Sequence, residues 1–204
     1  MLRVAEALNS KGEGVMAETV AAETTSRLHA IDELVLKVAD DLSEDELNWR
    51  PSQEAPSIAF HLWHIARWSD RNQVTIPRMA VDLANRFATQ ERWLSAGVAR
   101  DWGLDPARLG RGQSGIGMSD SDADQFRPPT KEALVDYLRQ SLADVEQVYA
   151  AIDDRLAVQP STVPEDNGAT LGGAMLSHLT HVCRHLGMIE ALRGVHGQRG
   201  SATA

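Results

Sequence analysis

The segment His178-Leu179-Thr180-His181-Val182-Cys183-Arg184-His185-Leu186-Gly187 sets three imidazoles at offsets of three, four and seven residues. Those offsets return to one side of a helix with 3.6 residues per turn, whereas a strand would alternate its side chains. Followed outward, the helical reading extends from Thr170 to Arg193. Met175, Leu179, Val182, Leu186, Ile189 and Leu192 supply its apolar side, and Gly194 suits a C-terminal stop.

A second stretch, Phe60-His61-Leu62-Trp63-His64-Ile65-Ala66-Arg67-Trp68, carries two more histidines at helical spacing. It belongs to a helix predicted from Ser57 to Ile76. Pro56 precedes its start, Pro77 ends or kinks it, and Ile58, Leu62, Ile65, Trp68 and Ile76 mark the inner face. Upstream, Leu28, Ile31, Val35, Val38 and Leu42 step by three and four along a helix from Ala17 to Leu42. Ser43-Glu44-Asp45-Glu46 then reads as a capping box, and Trp49-Arg50-Pro51 as a break. Downstream, Thr130 caps a helix from Lys131 to Leu156, striped by Leu134, Leu138, Leu142, Val145, Val148, Ile152 and Leu156.

Sustained two-residue alternation is missing from the sequence, so the expected fold is all-α, a four-helix bundle over residues 17–194. Residues 1–16 are expected to form a flexible leader, and Val195 to Ala204 a frayed tail. The long connection Arg78–Thr130 is expected to hold a helix near Met79 to Ala96 and a flexible Gly-rich piece, Leu109 to Gly117. A connection of this length suits a lid or a pocket wall. The Gly-rich piece is no phosphate loop, because no Gly-Lys-Ser/Thr follows.

The 204 residues carry a formal charge of −9 without a basic stripe, which argues against a nucleic-acid partner. No apolar stretch is long enough to span a membrane, and the N-terminus has no signal-like apolar run. Cys183 is the single cysteine, which suits a reducing, cytoplasmic setting. It points away from His181 and reads as a small packed residue.

Five of the seven histidines thus lie in two helical segments. A lone buried histidine is more often a hydrogen-bonded core residue than a ligand. Two rings four apart, however, project about 40° from each other, one turn apart, which is how a helix offers two nitrogens to one divalent ion. His181 and His185 have that spacing. A third nitrogen from the other helix would leave open positions on the ion, as catalytic sites do. Spacing leaves His61 and His64 both eligible for that place, and His178, on the same helix as the pair, could serve as the third ligand as well.

The residues Leu47-Asn48-Trp49-Arg50-Pro51, Ser57-Ile58-Ala59-Phe60-His61-Leu62-Trp63-His64-Ile65-Ala66 and His181-Val182-Cys183-Arg184-His185-Leu186-Gly187-Met188-Ile189-Glu190 together resemble the DinB-like superfamily. That family includes the metal-binding domain of mycothiol-dependent maleylpyruvate isomerase. The resemblance covers about Ala17 to Gly194. It implies an up-up-down-down bundle, often a homodimer, with zinc, nickel or iron on three histidines. Carried over position by position, the ligands fall on His64, His181 and His185. His61, His178 and Trp68 become supporting or pocket-lining candidates. Met188 stands where many relatives have Gln, which removes a polar group there.

The implied activity is a metal-dependent transferase that activates a low-molecular-weight thiol against an electrophilic substrate. A metal-dependent hydrolase using the same site, and a non-catalytic helical binding or stress-response protein, are the alternatives. Asp70 and Arg71 read as solvated, and Arg67 and Arg184 as surface ion-pair residues by default, with the holding of an anionic substrate as the alternative. Trp63, Trp93 and Trp102 read as packing residues or pocket walls, and Gly187 as a point of close helix or ligand approach.

Overall fold

The computed structural model describes residues 19–198. Every long helix begins at a Ser or Thr whose side-chain oxygen accepts an otherwise orphaned backbone N–H. Thr19 caps α1 (Val20–Asp41), Ser57 caps α3 (Ile58–Arg78), Thr130 caps α8 (Lys131–Ala150) and Thr170 caps α10 (Leu171–Val195). Each cap contributes about 1 kcal/mol. The capping box at Ser43 forms and opens the short α2 (Glu44–Asn48). Between α3 and α8 lie α4 (Val81–Ala84), α5 (Arg92–Ser95), α6 (Val98–Asp101) and α7 (Asp120–Gln125), and α9 (Asp154–Ala157) precedes α10.

The four long helices form a bundle in which α8 and α10 each pack on both α1 and α3. Contacts at the helix ends set their directions. Lys131 at the start of α8 donates to the carbonyls of Asp40 and Leu42 at the end of α1, and Asp154 accepts from the Ala21 N–H at its start. α1 and α8 are therefore antiparallel. Pairs His61–His185 and Ser69–His178 make α3 and α10 antiparallel. Gln198 bonds Glu46 and Trp49 packs on His196, which places the ends of α1 and α10 together. In chain order the directions are up, down, down, up. The bundle keeps the two parallel neighbouring pairs of an up-up-down-down arrangement, but the long connection joins the two middle, parallel helices.

That connection determines how α3 is buried. Trp93 and Phe126 lie against Trp63, with ring centroids 5.9 and 4.5 Å away, and Phe126 meets Phe60 at 5.9 Å. Burying each such aromatic is worth roughly 2–3 kcal/mol. With α8, α10 and this cover around it, α3 buries sixteen of its residues, charged ones included.

Several boundaries differ from the sequence reading. The helix expected near Met79–Ala96 is two short helices, because the Asp70 carboxylate takes the Arg92 and Trp93 N–H groups and fixes the start of α5 on α3. The third long helix ends at Ala150 rather than Leu156. Asp153 caps a separate turn, while Ile152 and Leu156 stay buried. Pro77 sits in the last turn of α3, which continues to Arg78. Val195 still belongs to α10, and Gln198 bonds Glu46 and Arg193. The expected leader, residues 1–16, and residues 199–204 lie outside the described residues. No helix among the described residues is long and apolar enough to cross a membrane.

Candidate metal centre

Antiparallel packing brings turns of α3 and α10 face to face in register. His64, His181 and His185 each offer a ring nitrogen within 4.8 Å of the other two. Ring centroids stand 5.0 Å apart for His64 and His181, 4.7 Å for His64 and His185, and 4.5 Å for His181 and His185. Nitrogens on a tetrahedral zinc ion, each 2.0–2.1 Å from it, would stand about 3.3 Å apart, so small side-chain rotations would close the set.

The hydrogen bonds around these rings fit the same purpose. His64 Nδ1 lies 2.6 Å from the Ser114 carbonyl. A carbonyl only accepts, so Nδ1 carries the proton and Nε2 is left bare. His185 Nδ1 lies 3.0 Å from His61 Nδ1. If His185 donates there, its Nε2 is bare as well. The Nδ1 atom of His181 is buried without a hydrogen-bond partner. An orphaned imidazole nitrogen in a pocket of bare imidazoles suits a cation, and neutral nitrogen donors suit zinc, nickel and iron alike.

Electrostatics keep the donors neutral. Burial pushes His64 down to about 4, with Arg184 and Arg67 adding to the effect against the Ser114 hydrogen bond. His181 falls to about 2 and His185 to about 3, mainly through burial, then through the neighbouring imidazoles and Arg184. No proton has to be displaced at neutral pH before an ion enters.

The other candidates separate clearly. His61, 6% exposed, backs His185. His178 faces away from the cluster. Its Nε2 accepts from Ser69 Oγ at 3.1 Å and its Nδ1 meets Tyr149 Oη at 3.1 Å, which makes it a satisfied core histidine. Trp68 walls the centre, 5.4 Å from His181 and 6.3 Å from His64 between centroids.

The model of the DinB superfamily matches residues 27–189. The chain belongs to the DinB superfamily. A crystal structure described as the conserved protein of a locus from Enterococcus faecalis is similar to it, with a TM-score of 0.70. The match covers 89% of this chain and 100% of that one at 20% identity, a likeness of fold alone. No curated protein matches the chain.

Within this DinB-superfamily bundle, four residues depart from the sequence reading. Arg67 and Asp70 are both fully buried, neither solvated nor reachable by a substrate. Arg67 uses all five guanidinium N–H groups. Nε donates to the Gln113 carbonyl at 2.8 Å. Nη1 donates to Asp70 at 3.0 Å and Tyr137 at 3.1 Å, and Nη2 to Glu91 at 2.6 Å and the Gly112 carbonyl at 3.1 Å. Cys183 is exposed, not packed. Gly187 has open space where a Cβ would stand, so no neighbour among the described residues accounts for it.

The Gly-rich piece also differs from the flexible loop expected of it. Arg111 and Ile116 bridge in antiparallel fashion, and Gly110, Gly112, Gly115 and Gly117 all have left-handed φ. A Cβ on Gly115 would stand 2.9 Å from His64 Nδ1 and 3.1 Å from Phe60 Cζ. The sequence signal for this contact was the cluster of glycines, which permits close backbone approach.

Proposed function

We propose that this protein is a metal-dependent thiol transferase. His64, His181 and His185 hold a zinc, nickel or iron ion, and the substrates are a low-molecular-weight thiol and an electrophile. The observation that carries the reading is that ring nitrogens of three histidines, from two antiparallel helices, come within 4.8 Å of one another. When bound, such an ion supplies positive charge and an open position that lower the pKa of an entering thiol or water.

The chain's own residues define the rest. Arg184, exposed on α10 and close enough to act on all three imidazoles, favours an anionic ligand beside them. Trp68 supplies an apolar wall. His61 backs His185, which supports its orientation toward the shared point. A homodimer belongs to the same proposal. Away from the centre, α10 exposes Leu176 together with the small residues Thr180, Cys183 and Gly187, a surface on which a second helix could lie close.

Turnover of zinc-, nickel- or iron-loaded protein with an electrophile, with and without a small thiol, tests the activity. Thiol-dependent product that disappears in His185→Ala supports a transferase. Product formed equally well without thiol would reassign the site to hydrolysis. Gel filtration showing only monomer would remove the dimer.

A further inference from the structure

Arg67 lies one turn below His64 on α3 and is completely enclosed. A buried guanidinium is costly unless its donors are all used. Here they are, and the use is specific. Two of the five bonds go to the backbone carbonyls of Gly112 and Gln113, and the next carbonyl along the chain, that of Ser114, meets His64 Nδ1.

The far side of the guanidinium is held just as firmly. Asp70 Oδ2 accepts from Arg67, from the Trp93 N–H at 2.8 Å and from the Tyr137 hydroxyl at 2.8 Å, while Glu91 holds Nη2. The loop side chains complete the clamp. Gln113, itself at left-handed φ, accepts from the Trp93 indole at 2.8 Å, and Ser114 Oγ donates to the Arg111 carbonyl at 2.8 Å. Gly115 lets the strap lie directly on the imidazole, because any Cβ there would collide with it.

We infer that Arg67 is a positioning residue that, through the strap of residues 110–117, fixes the His64 imidazole with its proton on Nδ1 and its Nε2 turned to the shared point. The inference rests on the metal-centre reading for its purpose, but the tautomer it assigns to His64 holds with or without an ion. Arg67 never touches the site. Its hold on the ring passes through three consecutive carbonyls, those of Gly112 and Gln113, which it binds, and that of Ser114, which meets His64 Nδ1. A network this saturated holds one arrangement of the ring rather than several.

Two variants separate positioning from mere support of the fold. Arg67→Lys keeps a buried cation but lacks the fork that reaches Gly112, Gln113 and Asp70 together. Gly115→Ala leaves the Arg67 network intact and presses on the ring itself. The first readout is nitrogen NMR of ¹⁵N-histidine-labelled, metal-free protein at pH 7, with His64 assigned by its loss in His64→Gln. The second is the zinc dissociation constant from competition with a chromophoric chelator.

Wild type should show His64 protonated on Nδ1. Both variants should show mixed tautomers and bind zinc about 10- to 100-fold more weakly. Variants that melt lower but keep the wild-type tautomer and zinc affinity would overturn the inference and leave Arg67 a purely structural residue. A wild type that takes up no zinc, while the tautomer still responds to both variants, would overturn the metal reading and leave the positioning of His64 standing.

Discussion

Asp32→Asn should stabilise the protein, and more so as pH rises. Asp32 is 1% exposed on α1, and neither carboxylate oxygen meets a hydrogen-bond donor. Burial first, then the neighbouring Glu146 and Glu33, push its pKa from 3.8 up to about 9. The folded chain therefore holds a proton on Asp32 that the unfolded chain gives up near pH 4. Between those values the folded state binds more protons than the unfolded state, so stability falls as pH rises, by about 1.4 kcal/mol per unit. The interval from the ordinary carboxyl pKa to pH 7 is about three units, which gives a cost of about 4 kcal/mol at neutral pH.

Asparagine stays neutral and offers an N–H₂ group to Glu146, so it removes most of that cost. Urea unfolding of metal-free protein should show Asp32→Asn more stable by about 2–4 kcal/mol at pH 7. The two proteins should be nearly equal at about pH 3 and below, where Asp32 is largely protonated in both states. Parallel stability profiles for the two proteins from pH 5 to pH 8 would refute the reasoning.

Further outcomes follow from the same structure. His178→Ala should cost about 2–4 kcal/mol, from the cavity and the hydrogen bonds lost to Ser69 and Tyr149. It should leave zinc affinity unchanged, and a large loss of zinc binding would contradict the core role given to that ring. Zinc at a thousand times its dissociation constant should raise unfolding stability by about 4 kcal/mol, an effect reversed by chelator and seen by calorimetry. A melting temperature indifferent to both zinc and chelator would count against the site.

The stripes of Leu28, Val35 and Val38, and of Leu134, Leu138 and Leu142, were legible because each helix buries one side, so its period survives in the sequence. The pairing of His181 with His185 was legible from their spacing, but His64 was singled out only by the family resemblance, because spacing alone left His61 and His178 equally eligible. Only tertiary neighbours separate these: Ser69 and Tyr149 satisfy His178, and His185 engages His61. Arg67 and Asp70 read as surface charges because a local pattern assumes that one side of a helix faces water. α3 has no such side at that level, since Glu91, Gln113 and Tyr137 arrive from 24, 46 and 70 residues away. Two other long-range bonds, from the Arg92 and Trp93 N–H groups to Asp70, divide the expected Met79–Ala96 helix. Local helix propensity there yields to the two backbone N–H groups that Asp70 claims. The strap at 110–117 is set by left-handed backbone, which the glycines allow but do not direct toward any particular partner.

The sharpest test is the zinc, nickel and iron content of purified wild-type protein beside His185→Ala, each after loading with the three metals and desalting. Three converging neutral imidazoles predict about one equivalent of divalent metal per wild-type chain and essentially none in the variant. A wild type that retains no more metal than His185→Ala would contradict the account.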